Sequence, residues 1–186
     1  VIVSKTISTS TDPSLTYTPA NDAAALKPVI EAARQKAGGV PMDAKIATDY
    51  ALRSADLLSK LIINGNKVLD VTQAQASLVA SLEDSRPDVV KAVAGVLALI
   101  NDKTVQTALA TKAGEEKVPD EVKIAVFKAL ATNAKNTGNQ LDPDSIALVQ
   151  KAVGSGSNND VRSAAAEARG ALNLPVDQAK TLILAQ

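Results

Sequence analysis

From Asn21 onward, the signals that start and stop helices recur roughly every 15 to 20 residues, and a chain punctuated at that interval builds from short helices joined by short links. Asn21-Asp22 predicts a first helix to about Ala37, kinked at Pro28 where the ring displaces a backbone hydrogen bond, and stopped by Gly38-Gly39. Asp43 opens a long second helix with Ile46, Tyr50, Leu57, Leu58 and Leu61 on its apolar side, ending at the Asn64-Gly65-Asn66 turn. Thr72-Gln73-Ala74-Gln75 has the capping-box spacing and predicts a third helix to about Leu82. Ser85-Arg86-Pro87-Asp88 introduces a fourth, whose stripe is Val89, Val90, Val93, Leu97 and Ile100. Asn101 or Asp102 caps a fifth through Thr111, and Pro119 begins a sixth with Val122, Val126, Phe127 and Leu130 inward. Asp142-Pro143 starts a seventh ending at Gly154, Asn158 or Asn159 an eighth that stops before Pro175, and Pro175 to Leu184 reads as one last helix.

The first twenty residues do not follow this pattern. Ser, Thr, Pro13 and Pro19 dominate them, and Val1 and Val3 have no pairing partner later in the chain, so residues 1–20 read as an extended or disordered lead-in to a helical domain spanning 21–186. The opening Val1-Ile2-Val3 lacks both an initiator Met and a signal-type apolar stretch, which suggests a mature product or an excised domain.

Four segments of the helical part align with one another: Asp43-Ala44-Lys45-Ile46-Ala47, Asp88-Val89-Val90-Lys91-Ala92, Asp120-Glu121-Val122-Lys123-Ile124 and Asp160-Val161-Arg162-Ser163-Ala164. Each begins the second helix of a predicted pair. The basic residues Lys45, Lys91, Lys123 and Arg162 follow one another at 46, 32 and 39 positions, bracketing a unit of roughly 40 residues. With Pro87 and Pro119 just ahead of the two middle copies, this pattern resembles HEAT repeats of the armadillo-like α-solenoid family. The resemblance covers about Asn21 to Leu174. It implies an all-α, right-handed α-solenoid of about four HEAT-like helix pairs plus a terminal helix. It also implies a structural ladder in which Asp43, Asp88, Asp120 and Asp160 cap helices and pair with basic groups of their own or the adjacent unit. Independently of any family, a single hairpin cannot hide its apolar stripe, whereas stacked hairpins bury a continuous core. The 33 alanines, as in Ala164-Ala165-Ala166, let helices approach closely.

Composition then narrows the chemistry. No Cys or His is present, so disulfides, thiolate metal sites, cysteine nucleophiles and the commonest general base are excluded. Twenty basic and twenty acidic side chains cancel, and aromatic residues make up 2% of the chain, which disfavours a nucleic-acid partner. The apolar run Ala92 to Ile100 is about half the roughly 20 residues a membrane-spanning helix needs. The loop Gly154-Ser155-Gly156-Ser157-Asn158-Asn159 lacks the ending of a phosphate-binding loop and reads as a connector. The carboxylates at Glu115-Glu116, Asp120-Glu121 and Asp142 with Asp144 read as solvated helix starts, not as a hard-cation site. The expectation is a non-enzymatic helical-repeat scaffold or protein-interaction domain within a larger protein, with a protein partner, no catalytic, cofactor or metal residues, and Lys45, Lys91, Lys123 and Arg162 as candidates for an anion-facing surface. The alternatives are a HEAT-like enzyme or enzyme subunit handling nucleic acid or a cofactor, and a helical bundle binding an apolar ligand. The compartment is left open.

Overall fold

Three of the start signals read from the sequence, Asp102, Asp142 and Asn158, cap helices through their side chains in the computed structural model, which describes residues 43–66 and 70–174. The chain divides into two units, Val1–Asp43 and Ala44–Gln186, and the elements below belong to the second. The lead-in, the first helix with Pro28, and the last helix from Pro175 lie outside the described residues.

Seven α-helices follow one another: α1 (Ala44–Ile63), α2 (Gln75–Ala80), α3 (Pro87–Leu97), α4 (Lys103–Gly114), α5 (Asp120–Thr137), α6 (Pro143–Ser155) and α7 (Asn159–Ala171). Short 3₁₀ turns at Val71–Ala74 and Ser81–Glu83 flank α2, and there is no strand among the described residues. The fold is all-α.

Local chemistry sets the boundaries. The Asp102 carboxylate accepts from the backbone N–H of Thr104 and Val105, Asp142 from that of Ser145, and the Asn158 amide oxygen from that of Val161, each satisfying a donor that the first helical turn leaves unpaired. Pro87 and Pro143 sit in the first turns of α3 and α6, where a missing N–H costs nothing. Gly65 and Gly138 close α1 and α5 with φ of +63° and +78°, a region that penalises a side chain.

Two readings need correction. The element from Thr72 is not opened by a capping box: Asp70 is the cap, accepting from the backbone N–H of Thr72 at 3.1 Å and also from its hydroxyl. With the Thr72 N–H, which the box would direct to Gln75, taken by Asp70, the chain enters through a 3₁₀ turn and α2 is only six residues long. On α1 the face toward the core is Ala51, Leu52, Ala55, Leu58 and Ile62, whereas Ile46, Tyr50 and Leu57 are 50–58% exposed. The helix carries two apolar stripes, and α3 covers one of them.

Packing is serial. Helices α1, α3, α5 and α7 contact one another in that order, α2 contacts α4 and α4 contacts α6, and the hairpins α2/α3, α4/α5 and α6/α7 close between the two rows. The buried apolar cluster runs through the whole arrangement, from Ala55 through Leu82, Val96, Leu109, Phe127, Leu130 and Val149 to Ala165 and Leu172. Phe127 and the five residues Val96, Leu97, Val105, Leu109 and Leu130 have no exposed surface. Two kinds of connection result: turns inside the hairpins (84–86, 115–119 and 156–158), and links between hairpins (98–102 and 138–142).

Candidate functional site

The four Asp-to-basic segments open α1, α3, α5 and α7, the four helices that contact in series. Asp43 and Lys45 are exposed at the start of α1. At α3, the Lys91 ammonium lies 2.8 Å from Asp88 and 3.2 Å from Glu121 on α5, and these two carboxylates hold its pKa above the ordinary lysine value, Asp88 contributing most. At α5, Asp120 accepts hydrogen bonds from the Ser157 hydroxyl and from Asn158 Nδ2 at 2.8 Å, both in the turn before α7. Lys123 donates to the Glu116 carbonyl at 3.2 Å. At α7, Arg162 donates to the Gly156 carbonyl at 3.4 Å and to Asn159 Oδ1, while the exposed Asp160 carboxylate makes no hydrogen bond or ion pair among the described residues.

The structure therefore links Lys91 to the next unit through Glu121, and Asp120 to the next unit through Ser157 and Asn158. Asp43 immediately precedes α1, but Asp88, Asp120 and Asp160 are not at capping positions. The caps of α3, α5 and α7 are Arg86, Pro119 and Asn158. Residues outside each helix already occupy the capping position, so Asp88, Asp120 and Asp160 fall inside the first turn, where the helix dipole still favours their charge.

Much of the polar bracing lies in residues the repeat pattern does not mark. Arg86 reaches the Thr48 hydroxyl on α1 at 3.1 Å, and it holds Asp84 through a 2.6 Å ion pair that lowers the Asp84 pKa to about 2. Lys135 on α5 pairs with Glu167 on α7 at 2.8 Å, pulling the Glu167 pKa down. Lys112, with 10% of its side chain exposed, is bound by Glu83 at 2.8 Å and Glu115 at 3.0 Å; burial opposes its charge, but the two carboxylates outweigh burial and leave its pKa raised. On the link side, Gln106 Nε2 donates to Asn133 Oδ1, Thr137 Oγ1 and the Gly138 carbonyl, and Gln106 Oε1 accepts from the Gln140 N–H. Asn133 Nδ2 donates to the carbonyls of Leu97 and Ile100. Gln106 and Asn133 are wholly buried, and no buried side-chain N or O among the described residues lacks a partner. A buried Gln and Asn on helices read as amphipathic were the available sequence signal, because such side chains persist inside only when satisfied.

Clefts open on the turn side. One, of about 240 Å³, lies between the turns 84–86 and 115–119, with Pro87, Val90, Val118, Pro119 and Val122 in its wall. The next, of about 120 Å³, lies between the turns 115–119 and 156–158 and holds Lys123, Lys151 and Ser157. The Gly-Ser loop shapes this second cleft. It is tightly built at Gly156, where an added Cβ would meet the Ala152 carbonyl at 2.7 Å and Arg162 Cγ at 2.9 Å. Among the described residues no group of three or more Asp and Glu is placed to hold a metal ion, and no helix is long and apolar enough to cross a membrane. Comparison with family models, curated proteins and solved structures finds no match.

Proposed function

We propose that this domain is a non-enzymatic HEAT-like α-solenoid, a scaffold that presents an interaction surface to a protein partner. The observation that carries the reading is the serial packing: α1, α3, α5 and α7 in one row, and α2, α4 and α6 in the other, with each hairpin leaning on the next. A bundle would draw its helices around a shared centre; a stack of hairpins passes one core from unit to unit. The ion pairs Lys91–Glu121 and Lys135–Glu167 cross successive helices of one row, as a repeating ladder does. Net charge of zero supports leaving nucleic acid out of the partner list.

The absence of native cysteine makes a direct test simple. Spin labels at Ser54→Cys on α1 and Ser163→Cys on α7, both exposed, report the distance between the first and last described helices of one row. Three helix-to-helix steps of roughly 8–10 Å give about 24–30 Å between axes in a serial row. A distribution centred near 15 Å would refute the solenoid and return the bundle reading.

A further inference from the structure

The turn side of the stack presents two neighbouring clefts of different chemistry. The first is walled by Pro87, Val90, Val118, Pro119 and Val122, and of its charged groups all but Lys117 are engaged: Asp84 by Arg86, and Lys112 by Glu83 and Glu115. The second contains Lys123 and Lys151 against one carboxylate, Glu116, and neither ammonium has a carboxylate partner among the described residues. In a chain whose charges cancel overall, this is a local cationic excess inside a concave surface, next to a more apolar concave one.

We propose that these two clefts together bind an extended peptide segment that places an aliphatic side chain in the first and, three residues along, an Asp or Glu side chain in the second. The spacing follows from the fold. The clefts are one unit apart, and successive helices of a row lie roughly 8–10 Å from one another. A polyproline II segment advances about 9 Å in three residues and returns every third side chain to the same side. An extended β-strand returns every second side chain and is out of step with the clefts. Charge complementarity selects the acidic residue: Lys123 and Lys151 supply two ammonium groups, and the Ser157 hydroxyl is committed to Asp120. This inference rests on the scaffold reading and names the partner chemistry of its surface.

The test titrates the capped tetrapeptide acetyl-Leu-Pro-Pro-Glu-amide into the full chain, followed by amide chemical shifts. Saturable shifts are expected at Gly114, Val118, Lys123 and Ser157. Binding should weaken about two- to fivefold in Lys123→Gln and in Lys151→Gln, by a similar factor when the peptide ends in Gln, and not at all in Lys128→Gln, whose exposed ammonium lies outside both clefts. No saturable shift, shifts spread over unrelated faces, or equal binding of a peptide ending in Lys would overturn the proposal. The spin-label distance separates the two claims. The serial distance without peptide binding removes the clefts alone, while a short distance with binding retained removes the solenoid and leaves the clefts.

Discussion

Replacing Asn133 by Ala should destabilise the helical unit by about 3 kcal/mol. Asn133 is wholly buried on α5, and its amide Nδ2 donates to the carbonyls of Leu97 at 3.0 Å and Ile100 at 2.7 Å, beyond the end of α3. In the variant, the Leu97 carbonyl still accepts from the Ile100 N–H, whereas the Ile100 carbonyl keeps no hydrogen bond among the described residues. Leaving that buried acceptor bare costs about 1–3 kcal/mol, and the lost bond from Gln106 to Asn133 Oδ1 adds about 1 kcal/mol. Gln106 Nε2 retains Thr137 and Gly138, so it adds no second orphan. Urea unfolding followed by circular dichroism reads the loss as a fall in midpoint of about 1.5 M, taking a slope of about 2 kcal/mol/M. A double-mutant cycle with Gln106→Ala should give a coupling of about 1 kcal/mol, because the two side chains meet directly. A loss below 1 kcal/mol, or additive single effects, would refute the view that this network fastens the link between hairpins.

Three further outcomes test the local chemistry. Gly156→Ala should cost about 1–3 kcal/mol because its Cβ would collide with the Ala152 carbonyl and Arg162, whereas Gly154→Ala, in α6 with open space around it, should stabilise by about 0.5–1 kcal/mol; thermal melts of the two variants shifting in the same direction would contradict this. Asn158→Ala removes the cap of α7 and a donor to Asp120 together, so a loss of about 1–2 kcal/mol is expected in chemical denaturation, and no loss would show that the cap is dispensable. Asp84 has a folded pKa of about 2 against an ordinary 3.8, depressed chiefly by the hydrogen bond from Arg86, so its stabilisation is complete above pH 4 and is lost as the pH falls through 2. Discounted for the solvent around Arg86, which is 36% exposed, the stability gap between the protein and Asp84→Asn should be about 1 kcal/mol at pH 6 and should close towards pH 2; a gap independent of pH would rule out this pair as the source.

Helix positions were legible because their signals are local. Asp102, Asp142 and Asn158 cap where the sequence places them, and the Val122, Val126, Phe127 and Leu130 stripe is buried as its spacing requires. Thr72 misled because a capping box specifies which oxygen and which amide pair, but not whether a stronger acceptor two residues earlier takes the same donor; Asp70 does. Ile46, Tyr50 and Leu57 misled for a different reason. A helix with two apolar stripes has no internal indication of which one its neighbour will cover, and that depends on the pairing of α1 with α3 across the intervening chain. The candidate Asp and basic residues lie at helix starts, but the partners Glu121, Ser157 and Asn158 are 30 to 38 residues away and are set by how the helices pack, which leaves no mark at either position.

The proposed function implies that the two sides of the hairpins divide stability from recognition by a physical rule. On the link side, wholly buried Gln106 and Asn133 join the chain ends of α3 and α5, and such a network tolerates no displacement because any orphaned amide is costly in a low-dielectric interior. On the turn side, Pro87 and Pro119 lack the N–H groups that would need satisfying, and the polar contacts there, Arg86 with Asp84, Lys112 with Glu83 and Glu115, and Asp120 with Ser157, leave space between units. That space persists as the two clefts, with Lys123 and Lys151 at one and the apolar wall at the other. Filling the first cleft with Val90→Phe should therefore block peptide binding with little change in the link network. If the same substitution instead abolished protection of the Gln140 amide from hydrogen exchange, the two sides would be coupled and the division of labour would not hold.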